Sequence, residues 1–350
     1  MTASSASSTP SVASASSASA ARPASSANGH PAARDDPGRS GPAVLGQNQY
    51  GKAECRVVKV SREGATHHLK DLNVSVALSG DMTDVHLEGS NANVLPTDTV
   101  KNTVFAFAQE HGIASAEQFG ILLARHFVTS QEAITRARVR VEEYAWQRIE
   151  TSDDASRLVG ADAVRHSFVR AGQEVRTAQV SYDGRGWEVI SGLSGLTVLN
   201  STNSEFWGYA KDRYTTLKET YDRVLATDVH ARWRYRWASD EEPAPRWDAA
   251  YEQTRTHLLQ AFAETYSLSL QQTLFQMGSR VINNRQEVDE IRLSLPNKHH
   301  FLVDLEPFGL TNASADGAVY YAADRPYGLI EATVLREGAT QSIPTDLTSP

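Results

Sequence analysis

Alternating apolar and polar positions predict most of the strands in the first half of the chain. Every second residue across 72–78 is apolar, which is typical of a strand with one buried face. The apolar residues near Cys55 predict a partner strand, and the two together predict a hairpin. Strand-like alternation returns across residues 137–141 and again near Phe168 and Val180. The first half is therefore predicted to be rich in antiparallel strands.

Two helices are predicted between these strands. Thr97 and Asp98 both offer N-caps to the first helix, and Ser115 with Gln118 forms a capping box at the start of the second. Apolar residues then recur at helical spacing in each segment, as expected of helices that bury one face. The first half thus consists of a hairpin, a helix pair and further strands.

The second half repeats this order. It begins with a strand across residues 187–198, followed by a helix with an acidic start across residues 212–225 and a strongly alternating strand across residues 229–237. Two more helices follow, and the half ends in a hairpin that turns at residues 296–298. Clean alternation of this kind is typical of antiparallel sheets with one face under helices, so the predicted class is α+β.

The repeated order also predicts two domains. We place their boundary at residues 183–186, so that the first domain spans residues 44–184 and the second spans residues 185–337. Both domains are expected to bury one sheet face under their own helices.

Both ends of the chain are predicted to be tails. Ser, Ala, Pro and Gly dominate residues 1–43, and no Leu, Ile, Phe, Tyr or Trp precedes Leu45, so we expect disorder there. Residues 338–350 are expected to form a flexible C-terminal tail.

Composition narrows the classes of protein to which the chain can belong. Hydrophobic residues make up 40% of its 350 residues and charged residues 22%, which suffices for a large core. The formal net charge of −8 argues against a chain built mainly to bind nucleic acid, and no apolar run approaches the roughly 20 residues that cross a bilayer. A single cysteine, Cys55, excludes an internal disulfide framework and a multi-thiolate metal site, which favours a reducing, cytoplasmic compartment.

Familiar catalytic motifs are absent from the sequence. Residues 192–196 miss the second glycine of a nucleophile elbow, and neither a dinucleotide fingerprint nor a phosphate-binding glycine loop is present. The histidine pairs at 67–68 and 299–300 point to opposite faces of a strand, so neither pair suits one metal ion. The basic, aromatic stretch 232–237 fits a strand, and its positive face could attract a small anion. Residues 296–301 combine an amide, a cation and two imidazoles, which either pack structurally or serve a site.

Several short strings resemble the urate oxidase (uricase) family over residues 45–337. Each string is weak evidence by itself, but the order and spacing of all the strings together are specific to the family. The matching strings are, in order, Gln49-Tyr50-Gly51-Lys52, Thr97-Asp98-Thr99-Val100-Lys101-Asn102-Thr103, Gly192-Leu193-Ser194-Gly195-Leu196-Thr197-Val198-Leu199, Ser204-Glu205-Phe206-Trp207-Gly208, Tyr214-Thr215-Thr216-Leu217-Lys218-Glu219-Thr220, Asp222-Arg223, Leu270-Gln271 and Ser294-Leu295-Pro296-Asn297-Lys298-His299.

This resemblance implies a fold, a reaction and an assembly. In the family, each half of the chain is a tunnelling-fold domain, an antiparallel sheet backed by helices, and four subunits form a hollow barrel. The family oxidises urate with molecular oxygen to 5-hydroxyisourate and hydrogen peroxide, with neither a metal nor an organic cofactor. The implied partners are therefore urate, molecular oxygen and three further copies of the chain, with no cofactor, metal, nucleic acid or membrane.

The resemblance also implies the residues of the site. Lys52, Thr97 and His299 match the family's proton relay, in which an amine, a hydroxyl and an imidazole pass protons. A planar guanidinium and a carboxamide can bind a flat anion by paired hydrogen bonds while a ring stacks on its face. The residues that match the substrate-binding positions are Asp98, Phe206, Arg223, Leu270, Gln271 and Asn297. Leu270 stands where some relatives have Val, and the family uses this residue's backbone.

The relay and the substrate-binding residues come from different halves of the sequence. Lys52 and Thr97 lie in the first half, whereas Arg223 and His299 lie in the second. By resemblance, the site therefore lies between subunits. Two alternatives stay open: a pterin-processing enzyme of the same fold, which would need zinc held by clustered His and Cys residues that this sequence lacks, and a catalytically silent purine-binding or scaffold protein.

Overall fold

The structure, a computed structural model, describes five parts of the chain. These parts are residues 42–64, 66–150, 152, 166–313 and 317–345. Residues 1–41 of the predicted N-terminal tail and residues 346–350 of the predicted C-terminal tail lie outside the described residues.

A single antiparallel sheet dominates the described residues, and each strand in it pairs with its neighbours in chain order. Its eight strands are β1 (Tyr50–Glu63), β2 (Thr66–Gly80), β3 (Ile134–Arg148), β4 (Phe168–Tyr182), β5 (Trp187–Asn200), β6 (Leu225–Tyr235), β7 (Val288–Leu302) and β8 (Tyr320–Leu335). The α-helices of the same residues are α1 (Thr83–Leu87), α2 (Thr97–Glu110), α3 (Ala116–Ser130), α4 (Trp247–Glu264) and α5 (Leu270–Asn284), and a short 3-10 helix spans Glu306–Phe308.

Helices cover one face of this sheet. α2 packs on β1, α3 on β3 and β4, and α5 on β7, β8 and α4. Along β6, Val229, Ala231 and Trp233 are buried on the helix side, whereas Arg232 between them is exposed on the other face. This alternation is what the sequence pattern predicts, and the α+β class is confirmed. None of the helices in the described parts is long and apolar enough to cross a bilayer.

The starts of α2 and α3 differ from each other in how they are capped. The Ser115 hydroxyl accepts a hydrogen bond from the Gln118 N–H at 3.1 Å, which confirms the predicted cap of α3. The predicted N-caps of α2 are wrong, because the capping position is Pro96, which makes no side-chain cap bond. Thr97 and Asp98 instead lie inside the first turn, where an acidic side chain is favoured by the helix dipole.

The helix predicted across residues 212–225 does not form. The Asp212 carboxylate accepts hydrogen bonds from the Tyr214 N–H and the Thr215 hydroxyl, both at 2.9 Å. Farther along, Thr220 pairs with Phe206 across an isolated β-bridge. These local side-chain and bridge contacts compete with helical hydrogen bonds, so the segment is an ordered loop that ends at β6.

The closing hairpin predicted at residues 296–298 is also wrong. β7 runs without interruption through these residues, and Asn297 lies opposite Thr227 in β6 and Gly328 in β8. The two alternating runs on either side of Pro296 therefore belong to one strand rather than two. Pairing on both sides holds this segment extended, and the partner strand β8 begins only at Tyr320.

The two halves of the chain share the sheet through β4 and β5. Between these strands, the Asp183 carboxylate accepts the N–H groups of Arg185 and Gly186 at 2.9 and 2.8 Å, which forms the turn at the predicted boundary. Arg176 on β4 adds a second link, since its guanidinium contacts the Glu117 carboxylate of α3 and the Asp248 carboxylate of α4, both at 2.6 Å.

The described part of the predicted C-terminal tail is anchored. The Glu290 carboxylate accepts the N–H groups of Ser342 and Ile343, both at 2.9 Å. Ile343 is 1% exposed. A buried carboxylate and an apolar side chain thus hold residues 342–343 of the predicted tail against the sheet.

Candidate active site

Arg223 and Phe206 are held together by the loop that precedes β6. The Arg223 N–H donates to the Ser204 carbonyl at 2.9 Å, and its Nε donates to the Ser204 hydroxyl at 3.1 Å. The guanidinium carbon of Arg223 lies 5.2 Å from the centroid of the Phe206 ring. Phe206 itself is fixed by two backbone hydrogen bonds with Thr220, at 2.8 and 3.0 Å. A cation and an aromatic face are thus placed side by side on rigid backbone.

The same loop is tied to the start of α5, which carries Leu270 and Gln271. The Glu205 N–H donates to the Ser267 carbonyl at 2.7 Å, and the Ser269 hydroxyl caps the helix by accepting the Gln272 N–H at 3.1 Å. Leu270 is buried and Gln271 is exposed at the first turn. The first N–H groups of a helix have no partner within it, and the dipole there favours an anion. Backbone donors and the Gln271 carboxamide therefore lie beside the loop that carries Arg223.

β7 contributes Asn297 and His299. They are two positions apart on one strand, so they share a face of the sheet. Burial lowers the pKa of the His299 imidazole, and the positive charge of Arg223 and the neighbouring His300 lower it further. The lowered pKa keeps the imidazole neutral at neutral pH, and the effect of Arg223 means that its charge lies within electrostatic range of His299. Burial also lowers the pKa of the Arg223 guanidinium, a group that nevertheless stays protonated in proteins.

Lys52, Thr97 and Asp98 form a separate group in the first half. The Tyr50 hydroxyl accepts the Leu95 N–H at 2.9 Å, which ties the start of β1 to the start of α2. A hydrogen bond from Lys101 lowers the pKa of the Asp98 carboxyl, and the charges of Lys101 and, more weakly, Lys52 act in the same direction. Thr97 and Asp98 are both exposed. These polar groups therefore face outward from the described chain.

The two groups do not meet within one chain. β1 is an edge strand, and five strands separate it from β7. With neighbouring strands about 4.8 Å apart, the path along the sheet from Lys52 to His299 is about 29 Å. The structure thus brings Phe206, Arg223 and His299 together, places Leu270, Gln271 and Asn297 on elements tied to them, and leaves the first-half residues elsewhere.

Three cavities among the described residues lie away from both groups. Three cavities of 490, 430 and 290 Å³ in the described part of the chain are lined by other residues. Among the same residues, no group of three or more His, Cys, Asp and Glu side chains could hold a metal ion. None of these three cavities is lined by a residue of the candidate site.

The residues that support Arg223 and Phe206 were not predicted from the sequence. Ser204 is fully buried and binds Arg223 twice, and Tyr209 stacks on Phe206 with ring centroids 4.9 Å apart. The Glu205 carboxylate accepts hydrogen bonds from the Tyr266 hydroxyl and, at 2.6 Å, from Trp207 Nε1. Ser204 and Glu205 lie in one of the matching strings, but loop residues have no periodicity from which such roles could be predicted.

Comparisons with known proteins agree with this fold. The uricase from Arthrobacter globiformis is 50% identical over 301 residues, which cover 86% of this chain and 93% of that protein. Its crystal structure aligns with a TM-score of 0.78 over 86% of this chain and 98% of that chain. The uricase from Aspergillus flavus is 36% identical over 82% of this chain and 95% of its own length. A uricase structure from Bacillus fastidious, at 24% identity and a TM-score of 0.67, shares the fold.

These likenesses first define the chain as an antiparallel-sheet protein of tandem tunnelling-fold type, as the sequence predicts. The uricase family model matches residues 48–181 and 189–331. The chain belongs to the uricase family, and it is an oxidoreductase. The interruption between the two matched ranges falls at the turn between β4 and β5.

Proposed function

We propose that this chain oxidises urate with molecular oxygen and water to 5-hydroxyisourate and hydrogen peroxide, as a step of purine degradation and without a metal or organic cofactor. The observation that carries the proposal is the fixed arrangement of Arg223 beside Phe206, within electrostatic range of His299, since it combines a cation, a stacking face and a neutral imidazole. The 50% identity with a protein named uricase supports the same substrate.

Substrate binding follows from the chemistry of a flat, acidic purine. Arg223 and Gln271 bind its carbonyl and N–H edges, and the ring of Phe206 stacks on its face. The backbone N–H of Leu270 and the positive end of α5 favour the anion. Asp98 completes the set from the first half of another chain, where its carboxylate can accept an N–H.

Catalysis consists of proton removal followed by electron transfer to oxygen. Lys52 accepts a proton through the Thr97 hydroxyl, and the neutral His299 imidazole passes protons onward. The resulting urate dianion gives two electrons to molecular oxygen, which takes up two protons and leaves as hydrogen peroxide. One water molecule then adds to the oxidised ring and gives 5-hydroxyisourate. Asn297 and Thr97 hold oxygen, and later this water, above the ring.

Assembly into a homotetramer with shared sites completes the proposal. The sheet has β1 and β8 as its two edges, and edge strands present unpaired N–H and C=O groups. Thr97 is exposed near one edge, and Arg223 lies in the half that ends at the other. A second copy can therefore bring its first half to the second half of its neighbour. The single, buried Cys55 is compatible with the reducing compartment expected from the sequence.

The proposed reaction is tested by following urate, oxygen and peroxide together. After dialysis against a chelator, the enzyme should consume urate and oxygen in equal amounts under air, release as much peroxide, and leave urate intact under nitrogen. Activity that is lost on chelation and restored by zinc, iron or copper would contradict the cofactor-free reaction. Urate that persists under air would instead favour the silent purine-binding or scaffold alternative.

The lowered pKa of His299 predicts the acid side of the pH profile. Because the neutral imidazole is the active form, protonation of His299 should lower kcat only below the ordinary imidazole pKa of 6.5. Measured kcat from pH 4.5 to 8 should show this limb in the native enzyme. His299→Asn should lower kcat and abolish the limb; an identical limb in the variant would assign it to another group.

A further inference from the structure

A polar group lies on the sheet face opposite Asn297 and His299. Lys298 Nζ contacts the Asp228 carboxylate at 2.7 Å, and the Thr197 hydroxyl donates to the other oxygen of the same carboxylate at 2.5 Å. The three side chains come from β7, β6 and β5 respectively. One carboxylate thus connects three adjacent strands behind the candidate site.

The sheet register explains why these residues can support the site. Thr197 lies directly opposite Asp228, and Ala226 lies opposite Lys298, so Asp228 and Lys298 are diagonal neighbours on one face. Lys298 stands between Asn297 and His299 in sequence and therefore projects to the face away from them. Any shift of the Lys298 backbone would move both neighbours.

The pairing of β7 with β8 is interrupted at this point, because four residues of β8 (324–327) lie opposite the single β7 residue Lys298. Asn297 lies opposite Gly328 in β8, but His299 lies opposite Ala323 instead of the residue at 326 that an unbroken register would give. An irregularity of this kind bends the strand that carries the extra residues, here β8, and it removes regular β8 pairing from β7 next to His299. On the β6 side, in contrast, the register is continuous through Asn297 and Lys298. The connection to β6 is thus the side that can hold β7 in place here.

We propose that Lys298 and Asp228 are positioning residues, whose ion pair, anchored by Thr197, fixes β7 to β6 where its pairing with β8 is interrupted, so that Asn297 and His299 face Arg223. This inference rests on the proposed function, because it assigns the pair an effect on the oxygen and proton steps of that reaction. Neither residue touches the substrate. The pair therefore acts through the geometry of its neighbours, and a misplacement of about 1 Å at a reacting group can cost about 100-fold in rate.

The ion pair is maintained across neutral pH. Burial acts to raise the pKa of the Asp228 carboxyl, but the hydrogen bonds from Lys298 and Thr197 and the charge of Lys298 together lower this pKa below its ordinary value. His230 on the same face is also near: burial lowers the pKa of its imidazole, and the charge of Lys298 does the same. Asp228 thus remains the negative partner of Lys298 under assay conditions.

The test compares Lys298→Met with Lys70→Met, a matched control. Lys70 also forms a strand-to-strand ion pair, with Glu143 at 2.6 Å, and its side chain is 30% exposed against 31% for Lys298. In the native tetramer, Lys298→Met should lower kcat for urate oxidation by about 10- to 100-fold and change KM for urate by less than about threefold. Lys70→Met should leave both constants near their native values.

Further variants separate positioning from mere stability. Lys298→Arg keeps the charge and should retain most of the native kcat. Asp228→Asn should lower kcat by as much as Lys298→Met does. The double variant Lys298→Met with Asp228→Asn should have a kcat close to that of either single variant. Unchanged kcat in assembled Lys298→Met or Asp228→Asn enzyme, with only a lower melting temperature, would overturn the proposal. If Lys298→Met does not assemble, the isosteric variant Asp228→Asn tests the proposal by the same changes in kcat and KM. Failure of native enzyme to oxidise urate would refute the proposed function instead.

Discussion

Lys52→Met is expected to lower kcat by about 100- to 10,000-fold, the usual contribution of a positioned acid–base group. Met matches the length of Lys but cannot accept a proton, so the dianion forms slowly while the groups that hold the substrate are unchanged. KM for urate should therefore stay close to the native value. Steady-state rates of urate loss, measured with oxygen saturating, give both constants.

Lys59→Met on the same strand is the matched control. The Lys59 amine donates a hydrogen bond to the Gln109 carboxamide oxygen at 2.5 Å. Lys59 lies seven residues after Lys52 on β1 and is not a candidate site residue, so its loss should leave kcat unchanged. A Lys52→Met enzyme with native kcat and a raised KM would show that Lys52 binds substrate and is not the base.

Arg223→Ala is expected to weaken urate binding by about 2–5 kcal/mol, because it leaves a desolvated anion without its charged partner. On the usual scale of 1.4 kcal/mol per factor of ten, KM should rise by roughly 30- to 4,000-fold. Equilibrium binding of a non-oxidised urate analogue checks the same quantity without turnover.

Arg213→Ala provides the control for this substitution. Arg213 lies in the same loop, is exposed, and places its guanidinium over the ring of Tyr214 at 4.5 Å. Its removal should leave KM unchanged. Equal affinity of the analogue for Arg223→Ala and native enzyme would place the anion elsewhere.

Sequence periodicity predicted the elements whose burial is set by their own residues. β2 and β6 alternate because every second side chain lies under helices, and the Ser115 cap is made within four residues of the chain. Such features depend on local composition and on one buried face. They can be predicted before the fold is known.

The elements that the sequence pattern predicted wrongly depend on contacts between distant segments of the chain. The loop across residues 212–225 is held by Asp212 and by pairing with Phe206, and β7 stays extended through Pro296 because β6 and β8 hold both sides. The support of Arg223 by Ser204 likewise depends on a turn of chain that has no period. Only the family strings, not the pattern, predicted which polar residues to examine.

The central claim is that each active site is shared by two chains. Within a single chain, Lys52 lies on the edge strand β1, whereas Arg223 lies in the loop before β6. Variants Lys52→Ala and Arg223→Ala, each expected to be nearly inactive at urate concentrations close to the native KM, can be unfolded, mixed in equal amounts and refolded into mixed tetramers. Random assembly gives intact sites a probability of a half times a half, so about one quarter of native activity should return. If both variants fold and co-assemble yet no activity reappears, each site belongs to one chain and the account is wrong.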